Sequence, residues 1–197
     1  YHMKKRHKVL RRYRSVLPRK KGRMGNIYVA GVLPAASFGS AVVGMSNNEL
    51  LEARRVLLSC HPPRHRGCSL QARLAMLGDP GWRPSVAPAL HWASIVWIAL
   101  TSPSTSFYTV KELCQMWASV PFDEGVTWKI SRGPIQRKNL CLRRIGWVAT
   151  SALTWQDDYD RTVHLGYNSP SLVAQMMSFA TQRGFERKMA RDSPQFV

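Results

Sequence analysis

Helix-start signals recur from Ser46 to Pro170 and confine most of this chain to a series of short helices. Ser46 and Glu49 are spaced as a capping box, in which hydroxyl and carboxylate each satisfy an amide that the first helical turn leaves without a partner. Thr109 and Glu112 repeat the pattern, and Ser69 is placed to cap a helix between them. Pro84 and Pro88 suit the first turn or two of a helix, and Pro134 after Gly133 and Pro170 after Ser169 suit helix starts.

Apolar residues follow each start at helical spacing. From Ser46 a helix is predicted to about Ser59, with Leu50, Ala53 and Leu57 as its buried stripe and Arg54 and Arg55 on a basic side. Leu70, Leu74 and Leu77 mark a second. The helix reaching Leu100 carries two stripes, Leu90/Ala93/Trp97 and Trp92/Val96/Ala99, and a helix apolar almost all round belongs in a core. Val110, Leu113, Cys114 and Trp117 follow the second capping box. From Pro134, Ile135, Leu142 and Ile145 are expected inward and Arg137, Lys138, Arg143 and Arg144 outward, with Gly146 ending the helix. The last helix is expected to reach about Met189 with Leu172, Met176 and Phe179 on one face.

Two stretches break the helical pattern. Residues 147–155 and 161–167 read as strands joined by a turn at 156–160. The uncharged, small-residue stretch from Gly25 to Gly44 reads as a short helix and turn within the core. The expected fold is therefore mainly α, a helical domain with a small β-hairpin in its C-terminal half. Its expected parts are a basic arm over 1–24, a helical region over 25–120, and helix, hairpin and last helix over 121–197. A chain of 197 residues, 45% hydrophobic, is long enough for one domain or somewhat more and too apolar to be disordered throughout.

Charge says what kind of partner to expect. The first 23 residues hold 11 of the 29 Lys and Arg and no acid, and the whole chain is +18. Such a field favours a polyanion, either RNA, DNA or an anionic membrane face. Apolar Val9, Leu10, Tyr13, Val16 and Leu17 lie among the bases at helical spacing, which makes a phosphate-contacting helix one reading of the arm and a solvated tail the other. Residues 27–45 are 19 in a row without a charge, long enough to span a bilayer, yet rich in Gly and Ser. The four cysteines are too sparse for a disulfide scaffold and read as reduced thiols, which favours an intracellular setting, nuclear or cytoplasmic. The acid-free basic start also has the composition of a mitochondrial presequence. A start at Tyr1 suggests a processed chain or a piece of a longer one.

No catalytic constellation emerges. Trp155-Gln156-Asp157-Asp158 has the aromatic-x-Asp-Asp form of a polymerase palm hairpin, where paired carboxylates hold two metal ions. A palm needs a further carboxylate on a neighbouring strand, and none is placed for it, so an acidic turn is the simpler reading. Cys60, His61, His65 and Cys68 are all zinc ligands in principle, but two prolines interrupt them and no second ligand pair follows. Nucleophile elbow, Walker loop and dinucleotide fingerprint are absent. No metal, cofactor or small-molecule substrate is expected. Bases beside aromatics recur at Trp82-Arg83, at Trp128-Lys129 with Arg132, and at Arg143, Arg144 and Trp147. Such pairings suit stacking and phosphate contact, although most tryptophans belong in a core. Trp128, in a polar loop, is the one expected at the surface.

The run 31–42, Gly-Val-Leu-Pro-Ala-Ala-Ser-Phe-Gly-Ser-Ala-Val, followed by Gly44, Met45, Ser46, Glu49, Leu50, Arg54 and Arg55, resembles the segment just after the palm in non-LTR (LINE-like) reverse transcriptases. The pieces 66–70, 78–83, 133–134, 144–147 and 169–170 are similar, in order, to the region between polymerase and RNase H domains in retroelement reading frames of dinoflagellates. The likeness covers roughly residues 5–190. Phe38 stands where the family usually has tyrosine. The resemblance implies a thumb or connection segment that grips template and primer by the backbone, without the palm or RNase H carboxylates. The parent protein would be an RNA-directed DNA polymerase and this segment not itself an enzyme. Under this reading Lys8, Arg11, Arg12, Lys20, Lys21 and Arg23, then Arg54, Arg55, Arg143 and Arg144, would neutralise phosphates of RNA or DNA rather than read bases. The alternatives are a structural protein embedded in RNA, of the organellar ribosomal type, and a membrane-anchored basic protein.

Overall fold

Both capping boxes form. In the computed structural model, which describes residues 26, 28–60, 69–79, 81–121 and 125–192, Glu49 Oε2 accepts from the Ser46 amide at 2.8 Å while Ser46 Oγ accepts from the Glu49 amide at 3.3 Å. Thr109 and Glu112 make the same reciprocal pair at 2.7 and 3.3 Å. These bonds hold the Glu112 carboxyl below its usual range. Ser69 Oγ accepts from the Ala72 amide at 3.1 Å.

The chain is mainly helical. A π-helical turn, Tyr28–Val32, leads into α1 (Leu33–Ala36) and α2 (Ser40–Val43). Then come α3 (Asn47–Cys60), α4 (Leu70–Leu77), α5 (Trp82–Ser85), α6 (Ala87–Thr101), α7 (Val110–Ala118) and α8 (Gly133–Arg144). Strands β1 (Val148–Ala149), β2 (Thr154–Gln156) and β3 (Thr162–His164) precede the long α9 (Pro170–Asp192). The strands form one antiparallel sheet in the order β1-β2-β3, with Ala149 opposite Trp155 and Trp155 opposite Val163. The expected first strand, 147–155, is thus itself a hairpin. Its turn is made by Ser151, whose Oγ accepts from the Leu153 and Thr154 amides at 3.1 and 2.9 Å, a local alternative to the ladder that serine readily supplies.

The chain divides into two compact units. The first comprises 1–38, 45–82 and 185–197, the second 39–44 and 83–184, so the segments 25–120 and 121–197 each contribute to both. In the first unit Tyr28, Leu33, Ala53 and Val56 form one buried cluster, and Leu58, Leu74 and Phe185 another. The Tyr28 hydroxyl satisfies itself by donating to the Ala53 carbonyl at 3.0 Å. In the second unit α6 packs against α2 and α8. It buries Ala89, Trp92, Ala93, Val96 and Ala99, while the sheet buries Trp155 and Val163 and α9 buries Val173, Met177 and Ala180.

Two packing expectations are corrected. The 25–44 stretch is only partly core: Tyr28 and Leu33 are buried, but Phe38, Val42 and Val43 are exposed. Gly39, at φ 80°, breaks the stretch into two helices of one turn each, and no described helix is long and apolar enough to cross a membrane. On α9 the buried face is Val173/Met177/Ala180, and Leu172 and Phe179 are exposed. The sequence carries both stripes at the same spacing, and only the packing partner chooses between them.

Gly44 sits at φ 70°, and a Cβ there would lie 2.7 Å from the Trp128 ring. Gly44→Ala is therefore expected to destabilise the protein by roughly 2–3 kcal/mol through combined backbone strain and overpacking, read as a lower urea midpoint at unchanged m-value.

Candidate functional site

The acidic turn between β2 and β3 is closed by intramolecular pairing. Asp157 Oδ1 accepts from the Tyr159 and Arg161 amides, both at 2.9 Å, and its Oδ2 accepts from Arg161 Nε at 2.8 Å. Asp158 Oδ1 accepts from Trp147 Nε1 at 3.3 Å and its Oδ2 from Arg183 Nε at 2.8 Å. Burial pushes both carboxyls up, but the hydrogen bonds and guanidinium charges outweigh it and hold both below the usual range. Tyr159 lies at the tip, with the Arg161 and Arg183 guanidiniums 5.1 and 4.7 Å from its ring centre. Metal ions would have to displace two arginines, and among the described residues no three His, Cys, Asp or Glu cluster as a metal site. Cys60, His61, His65 and Cys68 cannot be placed: 61–68 and the Cys60 side chain lie outside the described residues.

The phosphate-binding candidates divide three ways. Lys8, Arg11, Arg12, Lys20, Lys21 and Arg23 also lie outside the described residues. Arg55 is exposed on α3 and Arg143 half-buried on α8. Arg54 and Arg144 are engaged inside the protein. Arg54 Nε donates to Asp79 Oδ2 at 3.0 Å, and its guanidinium lies 5.0 Å from the Phe185 ring centre. Arg144 donates to the Ser85 carbonyl and lies 4.8 Å from the ring centre of Trp128. Trp128, expected at the surface, is half-buried beneath it. Each guanidinium finds an acceptor and a ring within its own unit.

The residue that sequence reasoning misplaced is Lys138. Expected outward, it is 1% exposed. Its Nζ lies 3.8 Å from the ring centre of Trp117, 4.7 Å from that of Trp92 and 5.8 Å from that of Trp155. Among the described residues Nζ has no hydrogen-bond partner, nor has the buried Trp155 Nε1. Desolvation drives the amine down from 10.5 to about 6. The three ring faces act the opposite way, attracting an ammonium by up to about 2 kcal/mol each when dry. Only the Trp117 ring is at close range, with the others at 4.7 and 5.8 Å, so their combined attraction falls short of the ~6 kcal/mol to which a drop of that size corresponds. Cys141, one turn on, is buried and its thiol is pushed up to about 12. The sequence did hold a signal. Lys138 falls between Ile135 and Leu142 on the same stripe, at i+3 and i−4, where an inward residue was due.

No protein family, no curated protein and no solved structure matches this chain.

Two outcomes test these assignments. An unfolded lysine binds a proton below its ordinary value and the buried one only below about 6. Stability should therefore rise with pH by about 1.4 kcal/mol per unit between those limits. Lys138→Met should remove this slope and stabilise the protein by roughly 1–4 kcal/mol at neutral pH, measured by urea unfolding from pH 6 to 9. Asp158→Asn breaks a largely buried pair and should cost about 2 kcal/mol. The Asp157 and Asp158 pairings should stabilise the fold above the ordinary carboxyl range and be lost as pH falls through their lowered values, so Asp158→Asn should also blunt acid unfolding.

Proposed function

We propose that this chain is a non-catalytic nucleic-acid-binding module that grips the phosphate backbone of RNA or DNA. In keeping with its resemblance to non-LTR reverse transcriptases, we read it as the thumb or connection segment of such a polymerase. The observation that carries the reading is the segregation of charge. The first unit holds 19 basic and 5 acidic residues, net +14, and the second 10 and 6, net +4. A unit so charged repels itself and is relieved by phosphates, whose condensed counterions are released on binding. Arg55, Arg187, Lys188 and Arg191 are exposed in that unit, and eleven of its 19 bases fall within the first 23 residues of the sequence. The arginine-bound state of Asp157 and Asp158 supports the non-catalytic part of the reading. Phosphate neutralisation predicts little sequence preference.

The test is fluorescence anisotropy of labelled DNA duplex, RNA duplex and RNA–DNA hybrid, titrated with the chain across a salt series. Affinity should fall steeply and linearly with salt on logarithmic axes. Replacing Arg11, Arg12, Lys20 and Lys21 with Ala should flatten the slope by about 3–4 units. An unchanged slope would remove the arm from the interface, and no binding at low salt would end the proposal.

A further inference from the structure

Lys138 is buried without a hydrogen-bond partner among the described residues, and its surroundings offer one way out. Two of the rings around it belong to the core: Trp155 on β2 is 0% exposed, and Trp92 on α6 is 8% exposed and fixed by donating Nε1–H to the Ala152 carbonyl at 2.9 Å. The third and nearest ring, Trp117, is half-buried on α7. That helix has nine residues, and Leu113 is its fully buried side chain. The wall closest to the amine is thus also the least anchored.

We propose that α7 is a proton-operated lid: it closes over Lys138 while the amine is neutral, and protonation of the amine drives the helix open so that the ammonium reaches water.

No other charge near the amine performs this role. On α6 the titratable residue is His91, which is exposed, and on α7 Lys111 and Glu112 are exposed and Cys114 half-buried. Strands β1 and β2 and helix α2 carry no titratable side chain. On α8 itself Arg137 donates to the Val43 carbonyl at 2.9 Å, Arg143 and Arg144 are half-buried, and the Cys141 thiol stays protonated through the neutral range. Among the described residues an ammonium in the closed state therefore meets ring faces and no carboxylate, and it gains water only when α7 moves. The free energy that opposes a dry charge then appears as an opening equilibrium. Over the range in which the open form holds a proton and the closed form does not, opening gains about tenfold for each unit of falling pH. It levels off once the closed form is protonated too.

The test is hydrogen exchange of the intact chain between pH 6 and 9, corrected for intrinsic exchange. Protection of the α7 amides should fall about tenfold per pH unit, while amides of β2 and α8 stay more protected. Lys138→Met should hold α7 protection constant over the same range. Flat protection in the wild type, or the same slope in Lys138→Met, would overturn the proposal. If that variant fails to fold, the titration of Lys138 is followed directly in the wild type by NMR of carbon-labelled lysine. A midpoint in the ordinary lysine range would also overturn it, and a midpoint well below that range with pH-dependent α7 exchange would uphold it.

Discussion

The tryptophans of the second unit hold its helices to its sheet. Trp92 reaches from α6 to the Ala152 carbonyl in the turn between β1 and β2, and its ring forms one wall around Lys138 of α8. Trp147 and Trp155 meet edge to face at 6.4 Å, and Trp147 donates to Asp158 in the next turn. Strands of two and three residues are too short to be stable by themselves. This sheet persists because its central residue, Trp155, is buried against helices. Buried aromatic area supplies the driving force, and each indole N–H or carboxylate carried inside then needs a partner. Most find one. Among the described residues four buried side-chain atoms do not, Arg137 Nε, Lys138 Nζ, Asn139 Oδ1 and Trp155 Nε1, and two of these, Lys138 Nζ and Trp155 Nε1, lie at the Lys138 cage.

Charge is handled in two ways. In the second unit the excess of base is small, net +4, and the ion pairs Asp157 with Arg161 and Asp158 with Arg183 fix a turn and tie it to α9. These carboxylates look like catalytic residues in the sequence because acidic turns and palm hairpins share a pattern. In the fold each is paired with a guanidinium, in the case of Asp158 that of Arg183, 25 residues away. In the first unit base greatly exceeds acid, and one of its few acids, Asp79, is bound to Arg54. An excess that intramolecular pairing cannot absorb is the physical basis for expecting a polyanion.

Much of the helical framework was legible in the sequence, because helix starts are local. Hydroxyl and carboxylate three residues apart, or proline at a first turn, act through bonds within one turn, and Ser46, Ser69 and Thr109 all cap as their spacing implies. The hairpin in 147–155 was missed because β-branched and aromatic residues dominate that stretch while a single serine sets the turn. The candidate site was far less legible. Arg54, Arg144 and Trp128 looked available in the sequence, yet each is engaged by a residue remote in the chain.

The sequence by itself determined the mainly helical class, the helix starts, the excess of positive charge and its concentration at the amino-terminal end. These follow from short-range hydrogen bonding and from composition, which no packing alters. Tertiary structure decided which of two equivalent stripes α9 would bury, which arginines would be neutralised, and that Lys138 would be sealed among tryptophans rather than solvated. Those outcomes depend on desolvation, and desolvation is set by which surfaces meet across long separations in the chain.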